Sequence, residues 1–158
     1  MSKLNLKLIS AGVLVGCAIG LIAVRVARAT PGNGIFSSLI AEPVMLDELD
    51  IKGKTDNYEI KLKTKGLSEA RVVEFRIAPG GHTGWHYHPG PVIVMITEGT
   101  MTLEQADGST AVYPAGTGFV EEPGHVNIGR NEGNSDLELV AFILSPLGAP
   151  IRTDEPAP

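Results

Sequence analysis

Cysteine is nearly absent: Cys17 is the only one in 158 residues, and it lies in the N-terminal apolar segment. The body of the protein therefore has neither a disulfide nor thiolate chemistry. Aromatic residues are scarce at 5%. Beyond residue 29 no stretch keeps a helical apolar repeat for three turns, which excludes a helix bundle. Basic residues are also in short supply there. Residues 1–29 hold Lys3, Lys7, Arg25 and Arg28 and no acid, leaving 9 basic and 18 acidic residues, a net charge of −9. Such a surface repels phosphate backbones, so no nucleic-acid partner is expected.

What is abundant is glycine (19), proline (11) and hydrophobic residues (43%). That composition favours many turns and short strands around a core of useful size. Length allows one domain plus an appendage. The appendage is N-terminal. Lys3 and Lys7 precede an uncharged apolar run over residues 8–24, followed by Ala27-Arg28-Ala29. A basic start, an apolar middle and a small-x-small end make a secretory signal peptide, with cleavage after Ala29. Two other readings compete. Leu14-Val15-Gly16-Cys17 is similar to a bacterial lipobox, and an uncleaved anchor helix would use the same run. Each of the three places residues 30–158 outside the cytoplasm, as a periplasmic, secreted or membrane-anchored protein, with the N-terminal segment as the only membrane contact.

Residues 30–43, with Pro31, Gly32 and Gly34, read as a linker. Residues 44–146 read as the folded domain, and residues 147–158 as a Pro-rich surface tail. Within the domain, residues 58–63 alternate apolar and polar strictly, as a half-buried strand does. Further strands are expected over residues 71–77, 92–97, 101–105, 111–113, 118–121, 125–129 and 137–144. Asp107-Gly108 marks a hairpin between two of them. Many short strands at close spacing predict an all-β, antiparallel sandwich or barrel.

Chemistry concentrates in Gly80-Gly81-His82-Thr83-Gly84-Trp85-His86-Tyr87-His88. On a strand, residues two apart share a face, so the imidazoles of His86 and His88 converge, which suits a divalent metal. A third ligand must come from another strand, and His125 is the histidine that remains besides His82. His82 has the parity of His86, but the surrounding glycines predict a bend. Glu121 and Glu98 are the carboxylates available to complete such a site; both are expected as solvated turn residues, and Glu121 is the better candidate for a general base.

These motifs resemble the cupin superfamily over roughly residues 70–145. Gly80, His86, His88 and Gly99 fall where the first cupin motif has its glycines and histidines. The glutamate of that motif is replaced by Val92. Gly108, Pro114 and Gly116 match the second motif. Counting back from Asn131, its histidine position is taken by Asn127, with His125 two residues earlier on the same face. The resemblance implies a jelly-roll barrel and a divalent transition metal (Fe, Mn, Ni, Zn or Cu) held by His86, His88 and His125 with Asn127 alongside. It also implies a small-molecule ligand and a homodimer formed through an edge strand. An oxygenase or isomerase is one functional expectation. The other is a non-catalytic barrel that binds a small molecule or sugar without metal.

Overall fold

Period-two alternation builds the core. In the computed structural model, which describes residues 29–158, Val92, Val94 and Ile96 point inward and are buried while Ile93 and Met95 face outward. The segment expected as a signal peptide or membrane anchor, residues 1–29, lies outside the described residues except for Ala29. Among the described residues there is no helix long and apolar enough to cross a membrane.

The strands are β1 (Asn33–Leu39), β2 (Val44–Leu46), β3 (Asp50–Thr55), β4 (Tyr58–Lys63), β5 (Ser68–His82), β6 (His86–Tyr87) and β7 (Val92–Glu98). They continue with β8 (Thr100–Gln105), β9 (Thr110–Pro114), β10 (Gly118–Glu121), β11 (Asn127–Arg130), β12 (Leu137–Pro146) and β13 (Thr153–Asp154). All ladders among them are antiparallel. One wall of the barrel runs β10-β7-β12-β5, with β1 and β2 along the far side of β5. The other wall runs β9-β8-β11-β6-β13. The two walls join where His82, at the end of the long β5, pairs with Arg130 of β11. The result is a nearly closed all-β antiparallel barrel, as the strand pattern predicts, with the jelly-roll form that the cupin resemblance implies.

The core comes mainly from β5, β7 and β12, through Val73, Ile77, Val92, Val94, Leu139 and Ile143. Each such side chain removed from water contributes about 1.5–3 kcal/mol. Asn131 stitches the β11–β12 turn to the barrel: its buried amide donates to the carbonyls of Ile77 and Ser135, and its Oδ1 accepts from Gly133 N–H.

Three segments depart from expectation. Residues 33–39, expected as linker, form β1 and pair with β5 from Leu39↔Val73 to Asn33↔His82. The glycines punctuate this strand rather than abolish it: a register shift separates Asn33 from Ile35, with Gly34 at positive φ between them. Among the described residues the alternating strand β4 pairs only with β3, and the hairpin is exposed on both faces rather than half-buried. Alternation sorts residues onto two faces; it does not say that anything covers the apolar one. Finally, the tail is tied down. β13 pairs with β6, Glu155 N–H donates to the Trp85 carbonyl at 2.8 Å, and Ile151 packs against the core.

Candidate metal centre

The turn that precedes β6 sets the site. Gly84 has φ of +77°, and a Cβ there would collide with the Thr30 carbonyl, so glycine is required. The Gly84 carbonyl accepts a hydrogen bond from His86 Nδ1 at 2.9 Å. The other histidine is oriented by the tail: His88 Nδ1 donates to the Ile151 carbonyl at 2.7 Å. A carbonyl can only accept, so both imidazoles carry a proton on Nδ1, and in the neutral form that metal ligation requires each presents Nε2 as a lone pair. The two Nε2 atoms lie 3.1 Å apart, with the rings at 78°. Glu121 Oε2 lies 2.9 Å from His88 Nε2. All three side chains are buried or nearly so, and their ligand atoms fall within 4.8 Å of one another.

Glu121 corrects the reading of that residue as a solvated turn group. It closes β10, where Phe119 and Glu121 face inward and Val120 outward. Its cross-strand partner is Val92, the position where the first cupin motif would carry glutamate. Directly opposed residues of an antiparallel pair share a face, about 5 Å apart at Cβ. The carboxylate missing from β7 is thus delivered by the neighbouring strand. Glu98 pairs with Glu138 at the far end of β7 and takes no part.

His125 is a second correction. Its side chain is 64% exposed, and its nearest charged neighbour is Glu122 at 3.8 Å. The turn through Pro123 and Gly124 does not end until Asn127, where β11 begins, so strand parity does not reach back to His125. Asn127 pairs with His86 across β11 and β6 and is 1% exposed. Among the described residues its Oδ1 has no hydrogen-bond partner, and it lines a second cleft with Glu121 and His125. His82 serves the bend: its Nδ1 accepts from Gly84 N–H.

Behind the cluster lies a cavity of about 330 Å³ inside the barrel. Its walls are mostly apolar, among them Val73, Phe75, Val94, Leu139 and Ile143, while His86, His88, Glu121 and Arg152 bring the charge-bearing chemistry. Arg152 comes from the tail and carries no motif signature in the sequence.

Burial holds the His86 pKa below its ordinary 6.5, against the raising influence of Glu121 and the Gly84 carbonyl. The unfolded chain then binds a proton near pH 6.5 that folded His86 refuses. The neutral imidazole's contribution to stability is complete above 6.5 and is lost as pH falls from there through the lower folded value. Chelated protein should therefore lose melting temperature below pH 6.5, and His86→Gln should show a shallower fall. Thermal melts between pH 8 and pH 5 check this; parallel curves for the two proteins would contradict it.

The family model described as a cupin domain matches residues 73–143. Over 78 residues the chain is 35% identical to the beta-alanine degradation protein BauB of Pseudomonas aeruginosa, covering 48% of this chain and 79% of that protein. A cupin superfamily protein from Desulfitobacterium hafniense DCB-2 superposes with a TM-score of 0.50 at 13% identity, covering 75% of this chain and 82% of that one. A cupin domain from Bordetella pertussis Tohama I gives a TM-score of 0.47 at 20% identity, covering 73% and 95%. Sequence match, strand order and the two motifs agree: the chain is a small member of the cupin family.

Proposed function

We propose that the protein is a metal-dependent cupin that binds a small molecule in its barrel, with His86, His88 and Glu121 as ligands to a divalent transition metal. One observation carries the reading: two buried Nε2 lone pairs 3.1 Å apart, with a carboxylate beside them. Without a cation or an added proton between them, those acceptors repel. Two imidazoles and one carboxylate form the donor set of non-haem iron(II) oxygenases, and iron(II) is the favoured occupant. A metal held by three protein ligands keeps positions open and supplies a Lewis acid that polarises an oxygen of the substrate.

The chain's own groups prepare that chemistry. The Gly84 and Ile151 carbonyls fix both rings in the tautomer that ligates and raise their basicity. Glu121 supplies negative charge in a water-poor pocket. The apolar walls exclude solvent and orient the body of the ligand.

The test is elemental analysis of protein purified without a histidine tag, followed by chelation. Near-stoichiometric iron or another divalent metal, with a melting temperature that falls on chelation and returns on reloading, is the expected result. A metal-free protein whose stability ignores added metal would leave the non-catalytic binding barrel as the better reading.

A further inference from the structure

The C-terminal segment does more than cover the barrel. Ile151 gives its carbonyl to His88 and its side chain to the core, and the next residue, Arg152, lines the same cavity as the histidines. Arg152 is held in place: one Nη1 donor reaches the Thr83 carbonyl at 2.7 Å, and Nη2 pairs with Asp154 Oδ1 at 2.6 Å. A guanidinium has five N–H donors, so these two contacts leave others for a ligand. Its side chain is 28% exposed.

The charges along this part of the cavity can be counted. Arg152 and Asp154 cancel. Glu121 offsets half the charge of a divalent ion. One positive charge then remains beside walls made largely of hydrocarbon, where unbalanced charge is costly. A ligand that carries one negative charge at one end and an apolar body at the other satisfies both features. At about 330 Å³ the cavity is at the small end for ligand sites, which run from roughly 300 to 1,000 Å³.

From this arrangement we propose that the site takes a small apolar monocarboxylate, its carboxylate lying between the metal and Arg152 and its hydrocarbon body among Val73, Val94, Leu139 and Ile143. Arg152 is then a specificity-determining residue, suited by its planar fork to a carboxylate. Asp154 moderates it by competing for the same guanidinium. The proposal rests on the metal reading for the sign of the site, but it stands on Arg152 for its choice of ligand.

The experiment uses hexanoate and hexan-1-ol, which share a chain and differ in charge, titrated calorimetrically into metal-loaded and chelated full-length protein. Wild type should bind hexanoate at least about tenfold more tightly than hexan-1-ol. Arg152→Gln should lose most of that preference while its metal content and its affinity for hexan-1-ol stay unchanged. Asp154→Asn, which frees the guanidinium, should bind hexanoate more tightly than wild type. This second variant keeps the question open to test if Arg152→Gln loosens the tail. Equal affinity for acid and alcohol, or hexanoate binding that neither variant alters, overturns the proposal. The two readings fail separately. If chelated protein keeps an Arg152-dependent preference for hexanoate and never takes up metal, the metal reading falls and Arg152's choice of a carboxylate stands without it. If metal binds and hexanoate shows no preference, the reverse holds.

Discussion

Alanine at His86 or at His88 is expected to abolish stoichiometric metal binding while leaving the metal-free barrel folded. Loss of partners that merely orient a metal ligand costs about 10–100-fold in affinity, so loss of a ligand itself should exceed about a hundredfold. The stability readout separates this from general damage. A metal at a thousand times its dissociation constant adds about 4 kcal/mol to the wild type. Neither alanine variant should gain appreciably at the same free metal concentration. In metal-free protein the balance differs. His86→Ala removes one of two lone pairs held 3.1 Å apart, and with it a buried ring. Relief of that opposition offsets part of the lost packing. His88→Ala also releases the Ile151 carbonyl, a contact spanning 63 residues of sequence. It should therefore loosen the tail as well as empty the site. Thermal melts with and without metal, together with metal analysis of each variant, decide the matter. Metal-induced stabilisation of the same size in wild type and both variants would remove these histidines from the site.

The histidine pair was legible because its geometry is local: two residues apart, His86 opening the short β6 and His88 just past its end, with both rings turned to one side. The barrel was legible for the same reason, through short alternating runs and the Asp107-Gly108 turn. What escaped depends on pairing between distant segments. Glu121 carries its own parity signal, since Phe119 and Glu121 flank an outward Val120. Its role follows from lying opposite Val92, and no local pattern announces that register. His125 was placed by carrying strand parity back from Asn127, but between Pro123-Gly124 and Asn127 the chain has not yet entered β11. Residues 33–39 looked like linker because Gly32 and Gly34 break the local pattern, while their hydrogen bonds are made with β5 some forty residues on. Residues 147–158 have no alternation at all. They are held by ladder and side-chain contacts to β6, Thr83 and His88, which are invisible from the tail's composition.

Glu121→Gln should match either histidine variant in its effect on metal affinity, despite changing almost no volume. The amide keeps an oxygen where Oε1 or Oε2 stood but removes the charge that attracts a dication into a buried site. A loss of more than about a hundredfold is expected, again by comparison with groups one shell further out. In metal-free protein the cost should be small, because the glutamine side chain can still hydrogen-bond His88 Nε2, which Oε2 now faces at 2.9 Å. The cross-strand pair supplies a sharper experiment. Val92 and Glu121 occupy one face of neighbouring strands, and Val92 stands where the cupin motif has its glutamate. Glu121→Val alone should lose metal. Combined with Val92→Glu it should regain a large part of the lost affinity, since the carboxylate returns to the pocket from the adjacent strand. Val92→Glu alone should be destabilised in the metal-free state, because it sets two carboxylates side by side in a buried position. Competitive titration of each variant against a chelator at fixed pH measures the affinities. If Glu121→Gln binds metal as tightly as wild type, the carboxylate serves only as a partner for His88, and the swap has nothing to restore.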